Sequence, residues 1–434
     1  MGKTLVQKVI ERASGTPDVR PNQIVNVNID LAMMHDSGGP RRIHKNLARL
    51  GRKVWNPDHV VVIGDHFVPA SGPAEAEILK LTREWVKEQG ISRYHEGEGI
   101  CHIVPVERGY IKPGMMYVGG DSHSTTAGAV GAFAIALGST DMLGVMATGQ
   151  TWIKVPETIL IEWAGQLAPY TMAKDMMLAA IGRLGGDGAT YRAVEYAGEA
   201  VDALNMDERL VLSNMAIELG AKAGVIAPND IVFDYLDERH VTGYEPVYSD
   251  EDAAYMEHHT FDASALEPLV ARPHAPENVS LAREIEAERL PINQAYIGAC
   301  TGAKYTDLKA AADVLKGQRV APNVRLMVAP SSTRVMERAM QDGILATLLA
   351  AGATLLPSAC GACAGLGLGV LASKERCIST TNRNFQGRMG ARDAEVFLAS
   401  PYTVAASAVT GYISDPRTVL DRIRMQKGES VHEG

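Results

Sequence analysis

The stretch Val60–His66, VVVIGDH in one-letter code, decides the fold class. Consecutive β-branched residues predict a buried strand, and the glycine followed by two polar residues marks the point where that strand ends. The stretch Met115–His123, MMYVGGDSH, repeats this arrangement. Segments with helical spacing lie between such strands, and the alternation of strand, loop and helix favours α/β layers with largely parallel sheets.

The same pattern continues towards the C-terminus. We predict a strand at Gln294–Ile297, followed by a helix over Thr306–Lys316 with Thr306 or Asp307 as its N-cap. The first twelve residues lack a long apolar segment and fit an amphipathic helix better than a signal peptide.

One apolar run raises the question of a membrane span. Residues 344–373 include no charged side chain, but a proline and several glycines break the run into short pieces. A span exposed to lipid needs continuous backbone hydrogen bonding, which a glycine-rich loop does not supply. We therefore interpret the run as a helix end, a buried strand at 353–356 and a loop.

Length and charge narrow the possible functions. The 434 residues are enough for several domains, and we place boundaries that give domains at 1–155, 156–275 and 276–434. A formal net charge of −9 argues against a nucleic-acid binder that works through bulk charge. Five cysteines in a chain of this length do not suggest a disulfide framework, so a reducing compartment, the cytoplasm, is expected.

Three of the cysteines form a candidate metal centre. Cys360 and Cys363 make a C-x-x-C motif, and Cys300 lies in a second loop that also contains glycine. Zinc, redox and cluster sites all use C-x-x-C, and buried structural thiols are a further alternative. Zinc would need a fourth ligand nearby, and a redox pair would leave Cys300 unexplained. Three thiolates suit an iron–sulfur cluster that keeps one iron open for substrate.

Histidines next to carboxylates are candidates for proton transfer. Asp65-His66 and Asp121–His123 each follow a predicted strand end, and His102 lies in an apolar loop. A carboxylate can hold a histidine in one tautomer and make it a better proton carrier, although a single such pair is usually structural. Ser122 lacks the G-x-S-x-G context of a hydrolase nucleophile.

Two further groups of polar residues could contact a substrate. Asn214 and Glu218 are four residues apart, which predicts that both lie on one helix face among apolar neighbours. Asn382, Arg383 and Arg388 form a short cluster of an amide and two guanidiniums, which suits capture of carboxylates. A solvated surface is the alternative for both groups.

Taken in order, the motifs resemble the aconitase superfamily over nearly the whole chain. The motifs that carry the resemblance are Gly64–His66, Gly120–His123, Cys300-Thr301, Cys360–Cys363 and Asn382–Arg388. The family has three related α/β domains around an iron–sulfur site and a fourth, mobile domain whose serine turn is not found in this sequence. The chain is therefore similar to the large subunits of the isopropylmalate isomerase branch, in which a separate small subunit carries that swivel domain and its catalytic serine.

The resemblance implies a role for each candidate. The three cysteines would hold a 4Fe-4S cluster, and His66, paired with Asp65, would help the substrate hydroxyl leave. A polar network around the iron-bound water would consist of His102, Asp121, His123 and Glu218. The residues expected to bind substrate are Arg41, Ser122, Asn214, Asn382, Arg383 and Arg388.

Two positions depart from the family pattern. Arg41 stands where the family often has glutamine, and Gly302 stands where asparagine is usual. We expect Arg41 to affect the choice of substrate and Gly302 to reshape the wall beside the cluster.

These features together predict an iron–sulfur hydro-lyase that acts on a small branched 2-hydroxy-dicarboxylate such as 3-isopropylmalate. Methylated malates, namely citramalate and 2,3-dimethylmalate, and a homoaconitate-like substrate are the alternatives. A cluster-bearing sensor without catalysis, or a zinc or redox protein, represents another class of function. No nucleic-acid or membrane partner is expected.

Overall fold

The computed structural model describes residues 2–426. Contacts divide the chain into two compact units. The first unit is formed by the residues up to 166 together with 184–263, and the second by 167–183 together with the residues from 264 onward. The predicted α/β class with largely parallel sheets is confirmed. The division into three domains near residues 155 and 275 stays a prediction.

Short strands run through both units. In chain order they are β1 (Ile24–Asn28), β2 (Leu31–His35), β3 (Val60–Gly64), β4 (Arg93–Glu96), β5 (Met116–Gly119), β6 (Phe133–Ala136), β7 (Gln150–Lys154), β8 (Thr158–Ala164), β9 (Ala193–Ala197), β10 (Ala223–Ile226), β11 (Glu257–Asp262), β12 (Leu269–Ala271), β13 (Val279–Leu281), β14 (Gln294–Ile297), β15 (Arg325–Val328), β16 (Thr354–Leu355), β17 (Arg376–Ser379) and β18 (Glu395–Ala399). The strands predicted from VVVI, MMYV and QAYI are β3, β5 and β14.

Helices connect the strands. In chain order they are α1 (Leu5–Ser14), α2 (Pro40–Arg49), α3 (Pro73–Gln89), α4 (Val104–Glu107), α5 (Ser139–Thr148), α6 (Ala173–Leu184), α7 (Glu199–Ala203), α8 (Met206–Met215), α9 (Asp230–Asp237), α10 (Ala282–Ala287), α11 (Ala299–Gly302), α12 (Tyr305–Leu315), α13 (Thr333–Gln341), α14 (Ile344–Ala351), α15 (Pro401–Thr410) and α16 (Pro416–Gln426). Short 3₁₀ helices cover Pro57–His59, Ser122–Val130, Ala216–Leu219 and Gly361–Ala364.

A five-stranded sheet lies in the first unit. Its order is β4-β3-β2-β5-β6, and every pair of neighbours is parallel. Every residue of β2 and β3 is buried, which explains why both strands are nearly continuous apolar runs in the sequence. Because parallel strands share a direction, the loops that follow β2, β3 and β5 begin at one edge of this sheet.

Two further sheets complete the first unit. A four-stranded parallel sheet has the order β10-β9-β8-β11, and β1 pairs with β7 in an antiparallel ribbon. The predicted amphipathic first helix is α1, which begins with a capping box between Thr4 and Gln7 and buries Leu5, Val9 and Ile10. This apolar face anchors the N-terminal end of the chain in the core of the first unit.

The second unit contains a seven-stranded sheet. Its order is β13-β12-β18-β17-β14-β15-β16, with parallel pairing from β18 to β16 and antiparallel pairing of β12 with both of its neighbours. Tyr296 in β14 lies opposite Ser379 in β17. The loops that follow these two strands therefore begin side by side.

Two local predictions in this unit are wrong. The N-cap of α12 is Lys304, and Asp307 is instead the third helical residue, where its Oδ2 accepts the Lys304 backbone N–H (2.9 Å) and its ammonium (2.8 Å). The strand expected to be buried at 353–356 is the exposed strand β16, because it forms the edge of the sheet. Within residues 2–426, no helix is long and apolar enough to cross a bilayer.

Candidate active site

Polar side chains follow three neighbouring strands of the five-stranded sheet. His35 ends β2 and Asp36 comes next, while Asp65 and His66 come directly after β3. In the register of the two strands, His35 lies opposite Ile63. All four polar residues are buried, with His66 the most accessible at 8%. Charged side chains that are removed from water need hydrogen-bond or ion-pair partners, and these four residues find them among their neighbours.

His66 is held by two carboxylates. Its Nδ1 lies 2.8 Å from Oδ1 of Asp65, whose other oxygen accepts the backbone N–H of Cys101 at 2.8 Å. Asp36 accepts the backbone N–H groups of His66 (3.1 Å) and Phe67 (2.9 Å). These bonds fix both the ring and the loop, so that Nε2 of His66 is left to act on a ligand.

The two histidines of this group carry different charges at neutral pH. Burial alone would lower the pKa of His66, but the negative charge and hydrogen bond of Asp65 outweigh it and raise this pKa to about 9. Burial, together with the positive charge of His66, lowers the pKa of His35 to about 4. The rings stack with centroids 4.2 Å apart. A neutral imidazole therefore packs against a charged one, and the proton-donating role expected of His66 stays a prediction.

A second group is centred on Asp121, which precedes a 3₁₀ helix after β5. Its Oδ1 lies 2.9 Å from Nε2 of His102 and accepts the backbone N–H of His123 at 3.0 Å. Nε2 of His123 lies 2.9 Å from Oε1 of the buried Glu218. Burial would raise the pKa of Asp121, but His102 and His123 hold it well below its usual range. Among residues 2–426, the buried Nδ1 of His102 has no hydrogen-bond partner.

Asn214 and Glu218 are both buried, but they do not share one helix as predicted. Helix α8 ends at Met215, and Glu218 lies in the 3₁₀ turn that follows. Nδ2 of Asn214 donates to the hydroxyl of Thr126 at 2.7 Å, which ties α8 to the 3₁₀ helix that contains His123. The tighter turn changes the direction of Glu218 relative to a continuous α-helix.

Arg41 and Ser122 lie close in the chain to these groups. Nε of Arg41 donates to the carbonyl of Ser37 at 2.7 Å, and the guanidinium lies 5.3 Å from the ring centroid of Phe67, the residue after His66. Partial burial lowers its pKa. Ser122 is half-buried as the first residue of the 3₁₀ helix. Arg41 thus lies beside the loop that holds His66.

The three candidate cluster cysteines all lie in the second unit. Cys300 is in the short helix α11 after β14, and the residue before it, Ala299, has φ of 70°, a left-handed conformation that costs a non-glycine residue energy. Cys360 immediately precedes the 3₁₀ helix that contains Cys363. Cys300 and Cys363 are buried, Cys360 is half-buried, and none of the three forms a disulfide.

The amide of Asn382 connects two of the sulfurs. Its Nδ2 donates to Sγ of Cys300 (3.5 Å), and the thiol of Cys363 donates to its Oδ1 (3.4 Å). Two thiolates on one zinc ion are at most about 4.6 Å apart, twice the Zn–S bond length. In the described part of the chain, the sulfurs of Cys300, Cys360 and Cys363 are not all within 4.8 Å of one another. They therefore fit a cluster of several irons better than a single ion.

Gly302 is required by a close neighbour. A Cβ atom at this position would lie 2.1 Å from Cβ and 2.2 Å from Oγ1 of Thr380. The Thr380 hydroxyl accepts the N–H of Gly298 at 2.9 Å and lies 3.1 Å from the carbonyl of Gly302. Thr380 therefore fills the space beside Gly302, and the reshaping of the wall expected from this departure stays a prediction.

The two arginines of the second unit lie in the loop after β17. Both are half-buried, and the guanidinium carbon of Arg383 lies 5.9 Å from the ring centroid of Phe385. The backbone N–H of Arg388 donates to the carbonyl of Phe385 at 2.9 Å, which closes a turn within the loop. Partly desolvated guanidiniums suit carboxylates, and the roles expected of the two arginines stay predictions.

Sequence reasoning missed His35, Asp36, Thr380 and the buried Lys174. His35 and Asp36 carried a weaker signal than Asp65 and His66, because they also follow an apolar run but no glycine marks the end of β2. Thr380 and Lys174 carried none, since each acts through contacts with residues far away in the chain.

Known proteins are similar to this chain over nearly its whole length. The sequence model of the Aconitase family (aconitate hydratase) matches residues 7–411. The 3-isopropylmalate dehydratase large subunit 1 of Methanopyrus kandleri is 48% identical over 422 residues, which cover 97% of this chain and 100% of that protein. The probable methanogen homoaconitase large subunit of Methanothermobacter thermautotrophicus is 43% identical, covering 95% and 97%.

A solved structure shares the fold. Holo aconitase X of Thermococcus kodakaraensis gives a TM-score of 0.50 at 14% identity and covers 90% of this chain and 93% of its own, a likeness that concerns the fold alone. The family match spans most of the chain, and the relatives above cover almost all of it. The chain is therefore a member of the aconitase family and an enzyme of the hydro-lyase class.

Proposed function

We propose that this chain is the large catalytic subunit of a 4Fe-4S hydro-lyase that dehydrates a small branched 2-hydroxy-dicarboxylate, with 3-isopropylmalate as the first candidate. The observation that carries the proposal is His66, a buried imidazole whose pKa is raised to about 9 by its carboxylate partner. Hydroxide is a poor leaving group, and a fixed donor that stays protonated at neutral pH lets it leave as water.

The cluster would be held by Cys300, Cys360 and Cys363. When bound, it supplies a Lewis-acidic iron that polarises the C–O bond that breaks. The hydrogen bond that the Asn382 amide donates to Sγ of Cys300 supports this assignment, because hydrogen bonds to sulfur tune iron–sulfur centres. Cysteines that form no disulfide need a reducing compartment, for which we propose the cytoplasm.

Proton transfer is assigned to the first unit. One C–H bond next to a carboxylate and one C–O bond break, a C=C bond forms, and the oxygen leaves as water with a proton from Nε2 of His66. This Nε2 lies 4.0 Å from Oδ2 of Asp121, which is hydrogen-bonded to His102. Asp121 stays ionised, because its pKa is held well below the usual range, and its negative charge favours the protonated ring of His66 to which a proton returns after turnover, with His123 and Glu218 holding its loop.

Substrate binding is assigned to the half-buried arginines. Arg388 and Arg383 would bind the two carboxylates, and Asn382, Asn214 and Ser122 are proposed as further substrate-binding residues. Arg41 adds a further positive charge beside the His66 loop. We propose that Arg41 affects which side chain of the malate is accepted.

The acceptor for the carbon-bound proton is assigned to a partner. We propose a separate small subunit that supplies the catalytic serine, and the words "large subunit" in the names of the relatives support a split enzyme. The chain alone should then hold its cluster but turn over substrate negligibly.

A longer, homoaconitate-like substrate is the second candidate. It is favoured by the relative from Methanothermobacter thermautotrophicus, which is 43% identical and is named a homoaconitase subunit. The extra cation of Arg41 could bind an additional carboxylate.

An anaerobic substrate panel tests the proposal. The reconstituted chain is combined with its small subunit and offered 3-isopropylmalate, citramalate, 2,3-dimethylmalate and homocitrate, and the unsaturated product is measured. We expect the highest kcat/KM for 3-isopropylmalate. Full activity of the chain alone would contradict the split enzyme, and a preference for homocitrate would establish the second candidate. Arg41→Gln should change the order of preference, whereas identical profiles would place Arg41 outside the site.

A further inference from the structure

A lysine ammonium is buried next to the segment that contains Asn382. Lys174, in helix α6, is 2% exposed. Its Nζ donates to the carbonyls of Thr380 (3.3 Å) and Thr381 (2.5 Å). Removing an ammonium from water costs several kcal/mol, so its contacts must be compensating. Because the Lys174 ammonium is hydrogen-bonded to the carbonyls of Thr380 and Thr381, the position of this backbone segment depends on the ammonium.

The segment bound by Lys174 is also bound by the Cys300 loop. The hydroxyl of Thr301 donates to the same Thr380 carbonyl at 2.9 Å, and the Thr380 hydroxyl accepts the N–H of Gly298 at 2.9 Å. Residues 379–382 are completely buried. The carbonyls of Thr380 and Thr381, which follow β17, therefore accept hydrogen bonds from one ammonium and one hydroxyl.

Asn382 is the next residue along this segment. Its amide contacts the sulfurs of Cys300 and Cys363, so a small shift of the Thr380–Thr381 backbone would move both contacts together. We infer that Lys174 is a positioning residue of the cysteine site, which acts on the sulfurs through Asn382. This inference rests on the proposed cluster and adds a residue that no motif indicated.

Loss of the ammonium should weaken retention of the cluster. Residues that orient the ligands of a metal typically contribute about 10–100-fold to its affinity. Lys174→Met keeps a similar length and removes the charge and the donors. We expect iron to be lost to EDTA under argon roughly tenfold faster than from the reconstituted wild type. Lys309→Met is the matched control, because Lys309 is exposed on α12 and its ammonium pairs with the exposed carboxylate of Asp313.

A double-mutant cycle distinguishes positioning from general loss of structure. If Lys174 acts through Asn382, then Lys174→Met and Asn382→Ala should each accelerate iron loss, and the combined variant should lose iron no faster than Asn382→Ala alone. The thermal transition of the apoprotein is measured in parallel. Additive effects, or wild-type iron loss in Lys174→Met, would overturn the inference.

A second variant covers the case in which Lys174→Met does not fold. Thr301→Val removes the other donor to the Thr380 carbonyl without changing shape. It should raise the rate of iron loss severalfold and should be non-additive with Asn382→Ala, and a wild-type rate would overturn the inference. If the wild-type chain takes up no iron, the proposed function fails. If the wild-type chain takes up iron and the variants lose iron at the wild-type rate, only the role of Lys174 fails.

Discussion

The two groups of candidate residues are organised in different ways. In the first unit, each acid–base residue is held by another, with His66, His102 and His123 each within 2.9 Å of a carboxylate oxygen. In the second unit, the sulfur contacts to Asn382 are longer, at 3.4 and 3.5 Å, and Cys360 is half-buried. The side chains of the first group are thus fixed by one another, whereas the second group has longer contacts, which agrees with our proposal that a cofactor completes its geometry.

The strongest test of this comparison is a pair of variants, one of which should lose proton donation and the other iron binding. His66→Asn removes the proton donor, so kcat should fall about 10²–10⁴-fold with unchanged iron content. Cys363→Ser should show the reverse pattern, with iron lost and the titration of His66, followed by NMR, unchanged. Kinetics and iron analysis on both variants provide the check. Loss of iron in His66→Asn would show that the two groups are not independent.

The next largest effect is expected at the arginines. Lysine lacks the planar fork of arginine. If a desolvated bidentate pair is broken, Arg388→Lys should lower kcat/KM by a factor that corresponds to about 2–4 kcal/mol of lost transition-state stabilisation. Steady-state kinetics with the small subunit give this value, and the melting transition serves as the control for folding. Unchanged kinetics would place Arg388 at the surface.

A smaller effect is expected in the pH profile. The pKa of His66 in the folded protein, about 9, is above its ordinary value of 6.5. Stability from this charge is therefore fully present below pH 6.5 and is lost as the pH rises through 9, as is the proton-donating form.

Asp65→Asn removes the charge that raises the pKa of His66, so burial prevails and the alkaline limb of kcat should move towards or below pH 6.5. Asp58→Asn, at an exposed carboxylate ahead of β3, should leave the limb in place. An unmoved limb in Asp65→Asn would assign it to another group.

The smallest effect concerns the strained residue before Cys300. Glycine adopts the left-handed conformation of Ala299 without steric cost, so Ala299→Gly should raise the free energy of unfolding of the apoprotein by up to about 1 kcal/mol. Chemical denaturation checks the value. A destabilised variant would show that the strain at this position is already compensated.

The sequence predicted the strand ends well because their signal is local. Runs of β-branched residues followed by glycine and polar residues locate β3 and β5, and the candidate histidines follow at once. His35 and Asp36 were missed because β2, read as LAMMH, ends in its polar residue without a glycine. The reading of Asn214 and Glu218 as one helix failed because the change to a tighter turn has no marker in the sequence.

Contacts between distant parts of the chain could not be predicted. Gly302 and Thr380 are 78 residues apart, and only packing shows that one side chain excludes the other. Lys174 is 207 residues from Thr381. A single lysine in a helical pattern is ordinarily a surface residue, so its burial is a property of the fold alone.

Iron stoichiometry tests the central claim most directly. The chain is reconstituted under argon with iron and sulfide, and bound iron, bound sulfide and the visible absorption are measured together with those of Cys360→Ser. We predict about four irons per wild-type chain, falling to about three on exposure to air as the open iron is lost, and no visible absorption in the variant. Absence of iron and sulfide, with one equivalent of zinc bound instead, would contradict the assignment.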